Sequence, residues 1–102
     1  MSAHKLTMYS ASKAALDTLT VAYAKRWSPR IRVVGIAPGW INSAWNQDMS
    51  TTDIEKLVQP QLIKRLIEPT EIADLVDTVI AVKSINSTTL TIDGGLGAPI
   101  VE

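Results

Sequence analysis

Tyr9 and Lys13 are the two residues of this chain whose types and spacing could together do chemistry. They stand four residues apart, so on a helix they share one face, one turn apart. An ammonium held near a phenol stabilises the phenolate, and a phenol so placed can pass a proton to a carbonyl oxygen. The same spacing also arises by chance on any solvated helix face. Whether the pair is chemical depends on the elements that carry it and on its company in sequence.

Residues 9–27 read as one helix. Ala11, Ala14, Ala15, Leu16, Leu19, Ala22 and Tyr23 recur at helical spacing, and alanine is the best helix former. Ser28-Pro29 ends the pattern, because the residue before proline is pushed out of the helical region. The small side chains on the apolar face allow close packing, either on the chain's own sheet or on a partner subunit. Residues 1–7 are polar and patternless, and His4 among them reads as a surface residue. With no second histidine and no clustered carboxylates to join it, no metal site is expected.

Residues 31–37 follow, rich in β-branched side chains and almost continuously apolar in their second half, as in a parallel strand buried on both faces. Pro38-Gly39 stops the strand. In open α/β sheets ligands bind beyond the carboxyl ends of strands, so residues 38–43 form either a ligand wall or a plain strand-ending turn. Trp40 and Trp45 in this stretch are hydrophobic anchors or substrate-facing walls; the local sequence leaves both open.

Thr52-Asp53-Ile54-Glu55 has the form of a capping box opening a short helix. Pro60 interrupts it, and residues 61–67 are expected to form a second short helical piece, the two serving as a lid. A longer helix is expected to start at Pro69-Thr70-Glu71 with Thr70 as its cap. Ile72, Leu75, Val76, Val79 and Ile80 give it a clean apolar stripe to about Val82. Residues 89–92 alternate like a strand before Asp93-Gly94-Gly95 breaks them. Strand, helix, strand in that order implies a parallel crossover. Gly94-Gly95-Leu96-Gly97 has too little chain after it for the helix a phosphate loop needs, so it reads as a tight turn and tail.

Composition bounds the function. Ten basic and ten acidic residues balance, so nothing favours nucleic acid or an anionic membrane as a partner. The chain has no cysteine, which excludes disulfides and thiol nucleophiles and fits a reducing compartment. No apolar run approaches the roughly 18 residues of a membrane span, and no signal peptide opens the chain, so a cytoplasmic protein is expected. Asn86-Ser87-Thr88 matches a glycosylation acceptor, which has no role without secretion. At 102 residues the chain makes one small domain at most.

Taken in order, Tyr9-Ser10-Ala11-Ser12-Lys13, Ile31-Arg32-Val33 leading to Pro38-Gly39, Glu68-Pro69-Thr70-Glu71-Ile72-Ala73 and Ile92-Asp93-Gly94-Gly95 resemble the C-terminal half of a short-chain dehydrogenase/reductase. The resemblance spans residues 9–95. It implies an α/β, partial Rossmann-like fold, with residues 1–102 as a single partial domain lacking the N-terminal dinucleotide-binding half. It implies an oxidoreductase of carbonyl and alcohol substrates using NAD or NADP, with Tyr9 as proton donor and Lys13 favouring its phenolate and binding the nicotinamide ribose. Pro38, Gly39 and the Ile41 backbone would border the nicotinamide. Ser43 stands where relatives often carry threonine and would offer the cofactor a hydroxyl. Residues 44–67 would be the variable substrate lid.

The departures carry equal weight. The family's glycine-rich Thr-Gly-x-x-x-Gly-x-Gly turn, its Asn-Ala-Gly stretch, its active-site asparagine and its serine about a dozen residues before the tyrosine have no counterpart in the eight residues preceding Tyr9. Ser2 is too close to Tyr9 to stand for that serine. The chain alone is therefore expected to be marginal in stability and inactive, with residues 33–37 as an exposed apolar hazard. A homo-oligomer or an assembly with a full-length relative is expected in its place. The alternatives are a non-catalytic fragment that oligomerises with such a relative, or a truncated gene product.

Overall fold

The computed structural model describes residues 3–97, with side chains from residue 7 onward. Ser2, the His4 side chain and the tail from residue 98 lie outside them. In chain order the elements are α1 (Ala3–Trp27), β1 (Val34–Pro38), one turn of 3-10 helix (Ala44–Asn46), α2 (Thr51–Val58), α3 (Pro69–Ala81) and β2 (Thr88–Ile92). β1 and β2 are neighbours in a two-stranded sheet. Ser87 N donates to Val33 O at 2.9 Å and Gly39 N to Ile92 O at 3.0 Å. Partner numbers rise together along both strands, which makes the pairing parallel. The fold is α/β and matches part of a Rossmann-like domain.

Two compact units divide the chain. The first takes residues up to Gly35 together with Val82–Leu90, and the second takes Ile36–Ala81 together with residues from Thr91 on.

In the first unit α1 begins at Ala3, six residues before the expected start. Residues 3–8 contain no proline or glycine, and Ala3, Lys5, Leu6 and Met8 are good helix formers, so propensity extends the helix where the apolar pattern is absent. At the other end Ser28 N reaches Ala24 O at 3.1 Å, and Arg30 N and Ile31 N both reach Trp27 O. The helix thus closes in turns around Pro29. Thr18 and Thr20 bond back to the carbonyls of Ala14 and Leu16, and Thr20 and Ala24 are the buried residues of this unit.

The expected strand from residue 31 starts at Val34. Its first residues are engaged otherwise: Arg32 Nη1 donates to the carbonyls of Val82 and Ile85 at 3.3 and 3.0 Å, and Val33 N donates to Asn86 Oδ1 at 2.9 Å. Asn86, noted in sequence only as part of an acceptor pattern, secures the entry to the sheet. Gly35 is required by close approach, since a Cβ there would stand 2.6 Å from Thr89 Oγ1. With one strand neighbour each, the apolar residues of β1 are half-buried, short of the full burial that their run predicts.

In the second unit the core is Val58, Leu66 and Ile67, with Asn46 and Gln61 buried beside them. The cap of α2 is Ser50, two residues before the expected one: Asp53 N donates to Ser50 Oγ at 3.1 Å and Ser50 N to Asp53 Oδ2 at 3.4 Å. Ser50 and Asp53 keep the reciprocal spacing of the box, and the extended backbone of Ser50 suits the cap position. Nor does Thr70 cap α3, because Pro69 already occupies the first helical position, where its missing N–H costs nothing. Glu68 precedes it, and Glu68 N donates to Glu71 Oε2 at 3.2 Å.

Residues 61–67 are not helical. The buried amide of Gln61 donates to Ile63 O at 2.8 Å and Arg65 O at 3.0 Å, capturing carbonyls a helix would need. Ile67 then forms a parallel bridge with Ile41. No helix among the described residues is long and apolar enough to cross a membrane.

Candidate active site

Tyr9 and Lys13 both project from α1 within the first unit. Tyr9 is 55% exposed, and the Lys13 ammonium stands 5.4 Å from the centroid of its ring, over the ring face. At this distance the cation is attracted by the ring quadrupole. Ser12 between them is turned back, its Oγ donating to Tyr9 O at 2.7 Å. The pair therefore offers a phenol hydroxyl and an ammonium, both open to solvent, as the polar donors of this face.

Pro38, expected to stop the strand, is the last residue of β1, and Gly39, Ile41 and Ser43 lie beyond it, all four in the second unit. Gly39 is pinned through its amide to Ile92 O, and a Cβ on it would meet Asp93 Cα and Cβ at 2.9 Å. Ile67 N donates to Trp40 O and Asn42 N to Ile67 O, each at 2.8 Å. That pattern turns the N–H and C=O of Ile41 away from Ile67. The Ile41 carbonyl accepts Asn46 Nδ2 at 2.8 Å. Ser43 is exposed; its backbone N–H donates to Asn46 Oδ1 at 3.1 Å and its carbonyl accepts Asn46 N at 3.1 Å.

Asn46 and Glu68 hold this loop and Asp93 holds the turn after β2, roles not assigned to them from the sequence. Asn46, only 4% exposed, clips Ile41 and Ser43 together through both ends of its amide. Glu68 accepts from Asn42 Nδ2 with both carboxylate oxygens at 3.3 Å. Asp93 accepts from Gly95 N at 2.9 Å and Gly97 N at 3.2 Å, closing the turn after β2. Ser-x-x-Asn at positions 43–46 and Asp-Gly-Gly at 93–95 are local side-chain-to-backbone signals that were available in the sequence.

Behind the loop, Arg65 Nη2 lies 2.7 Å from Glu71 Oε1. The hydrogen bond from Arg65 holds the Glu71 carboxyl below its usual range, with the Glu68 backbone N–H and the charge of Arg65 acting in the same sense. The reciprocal bond pushes the Arg65 guanidinium up. The ion pair lies at the start of α3, where a carboxylate also meets the positive end of the helix dipole.

With this geometry in view, the comparisons with known proteins are informative. The family model described as enoyl-(acyl carrier protein) reductase matches residues 1–97. The chain is 31% identical over 87 residues to the short-chain dehydrogenase/reductase homolog YusR of Bacillus subtilis, covering 85% of this chain and 67% of that protein. Among solved structures, a short-chain dehydrogenase/reductase mutant from Serratia marcescens superposes with a TM-score of 0.82 at 33% identity, over 90% of this chain and 38% of that one. A 4-hydroxyisoleucine dehydrogenase mutant complexed with NADH and succinate gives 0.81 at 27% identity, over 89% and 40%. The chain spans 35% of the length of the dihydromonapterin reductases it also matches. Its residues from the tyrosine-bearing helix to the turn after β2 thus correspond to a contiguous part of these enzymes, and the chain belongs to the short-chain dehydrogenase/reductase family.

Proposed function

We propose that this chain supplies the proton-transfer half of an NAD(P)-dependent oxidoreductase acting on carbonyl or alcohol groups. The observation that carries the reading is the Tyr9–Lys13 pair, one helical turn apart, solvent-open, with the ammonium 5.4 Å from the ring centroid. Tyr9 passes its proton to a carbonyl oxygen, or accepts one from an alcohol in the reverse direction. Lys13 hydrogen-bonds a ribose hydroxyl.

Each unit's donors suit part of a nicotinamide nucleotide: in the first unit an ammonium and a phenol suit the sugar, and in the second the exposed Ser43 hydroxyl with the Pro38, Gly39 and Ile41 backbone suits the amide-bearing ring. When bound, the cofactor supplies the hydride. Family membership supports the oxidoreductase class, and the NADH carried by one structural neighbour supports the cofactor class. Residues 1–102 act as one partial domain in the cytoplasm, and turnover also requires a dinucleotide-binding segment, which residues 1–102 do not contain.

The test is to follow NAD(P)H oxidation with a carbonyl substrate, first with the purified chain and then with the N-terminal segment of a relative added. Oxidation by the chain alone would overturn its dependence on a second segment. Oxidation in the mixture that survives Tyr9→Phe would overturn the role of Tyr9.

A second reading is favoured by the surface of α1. Met8, Leu16, Leu19, Tyr23 and Trp27 are all exposed, and Tyr23 and Trp27 stack at 4.6 Å. In this reading the chain oligomerises with a full-length relative through that helix and performs no chemistry. Light scattering that shows a folded monomer indifferent to such a relative would remove it.

A further inference from the structure

Trp40 and Trp45 stack in the second unit with ring centroids 6.2 Å apart and planes 11° from parallel. Trp40 is 37% exposed and Trp45 73%. Exposed apolar side chains are common in this chain, but these two indoles lie side by side and nearly parallel on one loop.

This loop is anchored. Ile67 brackets Ile41, its N–H donating to Trp40 O and its carbonyl accepting Asn42 N, and the buried Asn46 ties the 3-10 turn bearing Trp45 back to Ile41 O and the Ser43 amide. Trp45 projects from the residue next to that clip. Its ring lies nearly parallel to that of Trp40 and is mostly open. The result is a flat π surface held in place before any ligand arrives, beyond the carboxyl end of β1, where ligands of open α/β sheets bind.

We propose that Trp40 and Trp45 form a stacking platform that selects planar aromatic or heteroaromatic carbonyl compounds as substrates. Naming the ligand a substrate rests on the oxidoreductase reading above; the preference for flat rings does not. The indoles take no part in proton or hydride transfer and act on specificity. A ring stacked on indole gains about 0.5–1.5 kcal/mol beyond its area burial, equivalent to about a two- to thirteenfold preference over a non-planar ring of similar size.

The chain contains three tryptophans, so its indole N–H resonances provide a direct readout in proton–nitrogen correlation spectra, with Trp27 as internal control. The full chain is titrated with isatin, a planar bicyclic ketone, and separately with camphor, a saturated one. The expected result is a saturable upfield shift of the Trp40 and Trp45 signals with isatin, an unmoved Trp27, and little response to camphor. Trp45→Leu should weaken isatin binding about three- to tenfold, and Trp45→Tyr, which keeps an aromatic face, should retain most of it. Equal shifts at all three indoles, equal affinity for both ketones, or unchanged affinity in Trp45→Leu would overturn the proposal. So would Trp40 and Trp45 signals coinciding at the position of an unfolded chain, because the platform would then be absent. No cofactor or turnover enters the measurement, so a failure of hydride transfer leaves its outcome standing and the two readings fail separately.

Discussion

The backbone of Gly39 lies directly against Asp93: a Cβ on Gly39 would stand 2.9 Å from both Asp93 Cα and Asp93 Cβ. The Gly39 amide donates to Ile92 O in the same place, and the Asp93 carboxylate accepts the amides of Gly95 and Gly97. The close approach joins the end of β1 to the turn after β2. Gly39→Ala should therefore destabilise the chain by about 1–3 kcal/mol, the usual cost of overpacking against backbone that cannot yield. Urea unfolding followed by circular dichroism measures it, and an unchanged midpoint would show that the contact is softer than the geometry implies.

Gln61 is fully buried and its Nε2 serves two carbonyls, those of Ile63 and Arg65. Its Oε1 is buried with no protein partner, a position suited to one internal water. Gln61→Leu keeps the volume but removes the donor to both carbonyls, of which Ile63 O keeps the Arg65 N–H at 2.9 Å, and should cost about 1–3 kcal/mol. Gln61→Glu should cost more than Gln61→Leu at neutral pH, since a carboxylate repels the carbonyls that the amide served.

Glu71 introduces an acid dependence. Its folded-state ionisation lies below that of the unfolded chain, held there first by the hydrogen bond from Arg65. The unfolded state then binds the proton more readily, so the contribution is present above the ordinary carboxylate range. It is lost as pH falls through the lower folded value. Acid titration of unfolding should show a shallower loss of stability for Glu71→Gln than for the parent. Added salt should narrow the difference, because the pair is partly open to solvent.

Tyr9→Phe separates chemistry from folding. The hydroxyl lies on an exposed ring, so its removal should change stability by no more than about 0.5 kcal/mol. In a mixture that turns over with an added dinucleotide-binding segment, the same change should lower the rate by about 10²- to 10⁴-fold. Equal denaturation curves with unequal rates are the expected signature.

Periodicity made the helices at 9–27 and 69–81 and the strand at 89–92 legible, because each repeats apolar residues at helical spacing or alternates along its length. The ordered motifs then made the partial Rossmann-like fold legible as well. What escaped is of another kind. The coil at 61–67 and the clip at Asn46 are each built by one buried amide bonding backbone a few residues away. Such bonds leave no period, and residues 61–67 carry a helix-compatible composition that a single side chain overrides. The late start of β1 has a related cause, since Arg32 and Val33 are bonded to the turn before β2, some 50 positions along the chain. For the candidate site, the tyrosine and lysine were visible by spacing, whereas Glu68 acquires its bond to Asn42, 26 residues away, only once the chain has folded.

Asn46 and Gln61 have a consequence for how this protein can diversify. Each folds its amide onto adjacent backbone, the first ahead of α2 and the second behind it, so residues 47–60 are bounded by two clips that do not rely on what lies between them. Only Val58 in that interval is buried. The interval is thus an exchangeable cassette: its length and sequence can drift under selection for new ligands while the strand ends on either side keep their register.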